Sequence, residues 1–340
     1  MAGFPPVRYE VVKMAGGLDL VTPTLNLQPG VCRAALNFEC APTGGYTRIG
    51  GYERFDGRPA PSSAQVLVLA ISRLTTPALG SVVTGVLSGA SGVLVAQALT
   101  SFVLTKVSGA FTEGEALLVA GAQVATLIEL SGADTQKALA QYKAAAANAY
   151  RDDITAPPGS GPALGAFCFE DVVYTFRNSE DGLSAGLWKS SPAGWVSVPL
   201  GEELAFTGAS APPDEGSTVT QGAVSAVVLR VVLQSGAYAG GTAAGKLIIG
   251  ERTGGDFTAG AFTAGFAATC AGAQSAITLA PNGKYQFEQA NFAGSASTVR
   301  VYGCDGKNRA FEFDGKAFVP IDTGTSPDAP AFLAVHKKHL

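Results

Sequence analysis

Glycine or proline interrupts this sequence at short intervals, which leaves room for strands and tight turns but little for long helices. The chain carries 43 glycines and 19 prolines in 340 residues, yet 47% of it is hydrophobic and only 15% charged. That is too apolar for a disordered chain and too rich in turn residues for a helical bundle. A folded, mainly β protein is the expectation. Its length allows two or three ordinary domains, or one large β-domain with insertions.

Along the chain the text changes character several times. Residues 1–62 hold turn signals such as Pro29-Gly30 and Gly50-Gly51 between short apolar runs, an extended arm with about two strands. The apolar run Gln65–Ile71 reads as a strand buried on both faces, so 1–75 are assigned to the arm and a first propeller strand. Residues 76–133 are Val, Ala, Thr, Ser and Gly with almost no charge and read as a small β-module. A second such stretch lies at 213–281. Gly80-Ser81-Val82-Val83-Thr84 matches Gly216-Ser217-Thr218-Val219-Thr220, and Ser108–Gly114 matches Gly254–Gly260, which marks a non-tandem repeat of one small barrel-like unit.

Between the modules, 134–162 should form one helix, capped by Asp134 and ending before Arg151-Asp152-Asp153, followed by a rigid Pro-Gly connector. Residues 163–212 then give three short strands with turns, the outline of a propeller blade, and 282–340 repeat that order. Phe176, Trp188, Trp195, Phe311 and Phe313 are the expected structural core of these blades. Two blades cannot close a ring, and the last one reads as incomplete at its C-terminus. The expectation is either a longer polypeptide or blades supplied by other subunits.

The net charge of −4, with scattered Lys and Arg, lacks the basic footprint of a tight nucleic-acid binder. Met1-Ala2-Gly3-Phe4-Pro5-Pro6 is no secretory leader, and no apolar stretch is long enough for a membrane-spanning helix. The five cysteines, Cys32, Cys40, Cys168, Cys270 and Cys304, form no C-x-x-C pair and read as buried free thiols.

Four segments of the arm, Gly16–Pro23, Leu25–Gly30, Ala34–Glu39 and Gly44–Phe55, resemble the opening of tail-nozzle (tail-hub) proteins of short-tailed bacteriophages, and Tyr302–Gly315 resembles a later passage of the same family. The match covers the arm and both blade passages. The resemblance implies a β-propeller-based virion protein that forms a ring, usually hexameric, below the head-to-tail adaptor. Genomic DNA would leave through its lumen without specific binding, past mildly acidic walls. It also implies partners among tail fibre or spike proteins, assembly in the host cytoplasm, no cofactor and no catalysis. Leu18, Leu25, Leu27, Tyr46, Arg48, Tyr52 and Arg54 are the candidate contacts with neighbouring subunits or the adaptor, unless the arm folds back on its own propeller.

Other motifs weigh less. Gly240–Leu247 has the G-x-x-x-x-G-K spacing of a phosphate loop, but Leu247 replaces the Ser or Thr that binds magnesium and a strand follows where a helix should start. The only histidines, His336 and His339, sit in the terminal tail, far from any nucleophile in sequence. Asp152-Asp153 and Glu202-Glu203 read as solvated turn residues rather than a hydrolytic acid pair. Two alternatives to the nozzle are a tail fibre or spike that binds or depolymerises carbohydrate through exposed aromatics and acid pairs, and a secreted propeller adhesin.

Overall fold

The computed structural model describes residues 16–35, 38–41, 45–50, 53–133 and 135–335. It divides into two compact units, Met1–Glu53 and Arg54–Leu340. The first unit contains an antiparallel pair, β1 (Phe38–Cys40) and β2 (Tyr46–Arg48), and a parallel bridge from Leu18 to Cys32. Its centre is the Tyr46 hydroxyl, shared between the carbonyl oxygens of Gly17 at 2.8 Å and Gly30 at 2.9 Å.

The second unit begins with a closed six-stranded barrel: β3 (Leu67–Arg73), β4 (Val82–Gly85), β5 (Ser91–Ala98), β6 (Ser101–Ser108), β7 (Ala116–Val119) and β8 (Ala122–Ser131), in the order β3-β6-β5-β4-β7-β8 and back to β3. Its short turns suit the twist: Ala120 and Gly121, both with positive φ, join β7 to β8 as a primed hairpin turn. Leu69, Ile71, Val83, Leu94, Phe102, Leu104 and Leu127 fill the interior. On the other face of β3 and β6, the paired Val68 and Val103 are buried as well. The strand over 65–71 was expected to open a propeller; it is instead a stave of this barrel, because its hydrogen bonds go to β6 and β8.

Helix α1 (Gln136–Asp153) follows and packs on β5 and β6. The expected cap Asp134 lies outside the described residues; the Thr135 side chain accepts the Ala138 N–H at 3.1 Å and caps the helix. The helix runs on through Asp153 rather than stopping before Arg151. Asp153 is neutralised there by Lys106, and Arg151 suits the negative end of the helix dipole.

Next come β9 (Ser160–Phe169), β10 (Val172–Asn178), β11 (Ala185–Ser191) and β12 (Gly194–Val198), a four-stranded antiparallel meander. β9 starts inside the stretch read as connector. A second barrel is built from β13 (Glu202–Ala209), β14 (Thr218–Gln221), β15 (Val224–Ser235), β16 (Ala243–Thr253), β17 (Gly260–Ala261) and β18 (Thr269–Cys270), with β19 (Ser275–Ala276) added beside β13. A second four-stranded meander, β20 (Gln286–Ala290), β21 (Arg300–Cys304), β22 (Phe311–Phe313) and β23 (Phe318–Pro320), completes the described chain.

The two barrels share one strand order. In the second it reads β13-β16-β15-β14, a gap, then β17-β18 and back to β13; the Thr220–Ala264 bridge and hydrogen bonds from the Gln221 side chain to Thr258 and Gly260 span the gap. The repeat extends to individual hydrogen bonds. Gly80 and Gly216 both have φ +86, which a side chain would disfavour, and their N–H groups reach Leu94 at 2.8 Å and Val228 at 2.7 Å. Ser81 and Ser217 each accept the reciprocal bond, and Phe111 and Phe257 each plug a barrel core. β13, like β3, precedes the region of repeating composition and was expected elsewhere, in the propeller segment 163–212.

One aromatic core joins the two meanders. Phe176 of β10 stacks on Tyr285 with ring centroids 3.8 Å apart, and Tyr174 meets Phe313 edge-on at 5.0 Å. Gly165 permits this approach, since a Cβ there would lie 2.6 Å from that of Tyr285. Phe176, Phe311 and Phe313 sit in this core as expected. Trp188 and Trp195 do not: both are half-buried on the opposite face, because strand alternation sends Leu187 inward and Trp188 outward, and Trp195 Nε1 donates to the Thr155 carbonyl at 3.1 Å. Phe313→Ala should therefore cost about 3–5 kcal/mol in urea unfolding, whereas Trp188→Ala should cost only about 1 kcal/mol.

Candidate functional site

A cleft of about 640 Å³ lies between β15 and β16 of the second barrel and the β22–β23 side of the last meander. β15 reads Val-Val-Leu-Arg-Val-Val-Leu, so Arg230 is a lone cation in a buried strand and must find counter-charges. It finds three. Nε lies 2.9 Å from Glu215, Nη1 donates to Glu312 at 2.6 Å, and Nη2 donates to Asp314. β22 explains the acids' position: in Phe311-Glu312-Phe313-Asp314 the aromatics face the core and the carboxylates face the cleft.

A second cluster closes on itself. Lys246 donates to Glu203 at 3.2 Å and Asp322 at 3.1 Å, and Arg309 donates to the same two carboxylates at 2.7 Å each. Two cations and two anions thus alternate around a ring. Burial by itself would raise the Asp314 carboxyl, but the Ala317 and Lys316 N–H groups and the Arg230 and Arg300 charges hold it below its ordinary range. Asp322 is likewise held low, against burial, by Arg309 and Lys246. Tyr302, whose hydroxyl points at Glu312 at 3.4 Å, is pushed up to about 12 by burial and that carboxylate, so it stays a neutral donor.

Chemically, this cleft is a clasp. Arg230 to Glu312 and Asp314, Lys246 to Asp322 and Arg309 to Glu203 all cross the junction of barrel and meander, an arrangement that fixes its geometry. The other notable carboxylate is Glu115, 1% exposed inside the first barrel. It accepts the N–H groups of Leu87, Ser88 and Thr112 at 2.7–3.0 Å, and those bonds hold its pKa low although burial pushes it up.

The motifs singled out in the sequence fall elsewhere. In Gly240–Leu247 a turn leads into β16, Leu247 is buried in the second barrel and Lys246 belongs to the charge ring. Glu202 and Glu203, consecutive in β13, point to opposite faces; Glu202 grips Arg252 through both oxygens at 2.7 and 3.0 Å. Asp153 pairs with Lys106. All five cysteines are free, with Cys270 and Cys304 buried and their thiols pushed up by burial, while Cys40 and Cys168 are exposed rather than buried as expected. His336, His339 and Tyr52 lie outside the described residues. Among the described residues no three His, Cys, Asp or Glu gather to hold a metal ion, and no helix is long and apolar enough to cross a membrane.

Of the candidate contact residues, Leu18 and Leu25 are exposed, Leu27 is half-buried, and Arg48 and Arg54 are exposed. Tyr46 is engaged inside its own unit. Sequence reading missed the clasp, although the isolated Arg230 and the Phe-Glu-Phe-Asp alternation were its visible signals. Comparison with family models, with curated proteins and with solved structures finds no match.

Arg230→Met should remove the closest cation from Glu312 and Asp314 and leave them only the more distant Arg300, at a cost of about 2–3 kcal/mol, read by denaturant unfolding and by faster limited proteolysis at the barrel–meander junction. Asp314, Asp322 and Glu115 all ionise more readily in the folded than in the unfolded chain. Their contribution is complete above the ordinary values of 3.8 and 4.5 and disappears as pH falls below them through the folded values, so thermal stability should drop on acidification past about pH 4.

Proposed function

We propose that the chain is a non-catalytic structural subunit of a short-tailed phage virion, a tail-nozzle component that assembles into a ring, with six copies as the expected number, below the head-to-tail adaptor. The observation that carries this reading is the pair of four-stranded antiparallel meanders sharing one aromatic core, the relation that neighbouring propeller blades have. Each barrel is then an insertion between or before blades, and the ordered motifs of the arm and of Tyr302–Gly315 agree with the nozzle family. The paired charges of the cleft support a scaffold that holds its parts in fixed register.

In this role the protein is assembled in the host cytoplasm, joins adaptor and tail fibre or spike proteins, and lets genomic DNA through a lumen without gripping it. The chain's weak negative charge suits that passage.

A second reading has one observation in its favour. Trp188 lines a groove of about 280 Å³ with Arg177 and Glu180, an aromatic and polar combination that can stack on and hydrogen-bond a sugar, as a tail fibre or spike requires.

Mass photometry and negative-stain imaging of the purified chain with its adaptor complex separate the two. A closed ring with a central lumen is expected. A chain that stays monomeric, joins no tail particle and loses polysaccharide binding on Trp188→Ala would establish the fibre reading instead.

A further inference from the structure

The two barrels differ at one end, and the difference identifies a surface. In the second barrel the loop before β14 reads Pro213-Asp214-Glu215-Gly216-Ser217; in the first, the equivalent loop before β4 reads Pro77-Ala78-Leu79-Gly80-Ser81. The backbone is the same, since Ser81 and Ser217 donate to Ala78 and Asp214 at 3.2 and 3.0 Å. The side chains are opposite in kind. Glu215 turns to Arg230 and joins the clasp, whereas Leu79, in its place, is 60% exposed.

Leu79 is not alone at this end. Leu74, just after β3, is 62% exposed, and Leu99, in the two-residue turn from β5 to β6, is 79% exposed. The loops that carry them are tied together: Gln97 donates to the Pro77 carbonyl at 2.8 Å, and Arg73 donates to Thr76 Oγ1 at 3.2 Å and to the Ala98 carbonyl. The surrounding rim is Ser72, Thr75, Thr76 and Thr100, all uncharged. Arg73, at the end of β3, is bound into these contacts and lies 5.7 Å from the Phe102 ring centroid.

We infer that this leucine-tipped end of the first barrel docks on an electrically neutral lipid surface. The leucines project from loop tips instead of lining a groove, which suits a deformable apolar medium. Three such side chains offer a few hundred Å², well short of the roughly 800 Å² per partner that a stable protein interface buries. They are enough for reversible insertion of apolar tips into a bilayer's interface. With no free cation among the described residues of the rim, the attraction does not depend on anionic lipid. The inference is independent of ring formation and is tested on the chain as purified.

The test is co-flotation of the full chain with phosphatidylcholine vesicles, with and without added anionic lipid and at low and high salt. Recruitment to neutral vesicles that salt does not weaken is expected. Leu79→Ser combined with Leu99→Ser should lower partitioning by about tenfold or more while leaving the melting temperature unchanged. Val86→Ser with Leu87→Ser, at the opposite end of the barrel, should bind as the parent does. Failure to float, recruitment only by anionic vesicles, or equal flotation of the Leu79/Leu99 variant would each overturn the inference. So would mass photometry showing that these leucines pair two copies of the chain instead.

Discussion

The two meanders of the second unit are held together at the contact between Phe176 and Tyr285. These rings lie 109 positions apart in the chain, one in each meander, and they stack at 3.8 Å. Without that core, neither four-stranded sheet has a second layer to bury its aromatic face, and a single such sheet is a poor independent folding unit. The second barrel lies between them in sequence. Ile248 of that barrel packs into the same core, and the pairs Arg230–Glu312, Lys246–Asp322 and Arg309–Glu203 tie the barrel to the last meander.

Hydrophobic stacking and charge pairing therefore divide the work by location. Rings fill the dry interior between sheets, where directionless burial is strongest. Guanidinium and carboxylate groups occupy the half-wet cleft, where a pair tolerates partial solvation and its geometry still specifies a partner. The alternation of β22 places one kind of residue on each face of a three-residue strand.

Much of this was legible in the sequence because it depends on local grammar. Glycine spacing and apolar runs gave strands, a helix and two related modules, and the Gly80/Gly216 match pointed to a repeat that the strand order confirms. What could not be read was which strand pairs with which. β3 and β13 precede the matching segments that mark the modules they open, so they were grouped with their neighbours in the chain rather than with their hydrogen-bonding partners. Trp188 and Trp195 failed for a related reason: size suggested interior, but strand parity put both on the outer face. The clasp escaped notice because its members span Glu203 to Asp322, and charge pairing across such separations leaves as traces the lone Arg230 and the Phe-Glu-Phe-Asp alternation, neither of which names a partner.

The first and last staves of each barrel are neighbours, β3 beside β8 and β13 beside β18. A chain that enters such a barrel leaves it almost where it came in. Its host needs no long crossing to resume, so the barrel behaves as a closed detour whose strand pairings are all internal and short in contour length. Such a detour can form early from its own residues, and it can vary in outer surface from one copy to the other while the scaffold that carries it keeps its path.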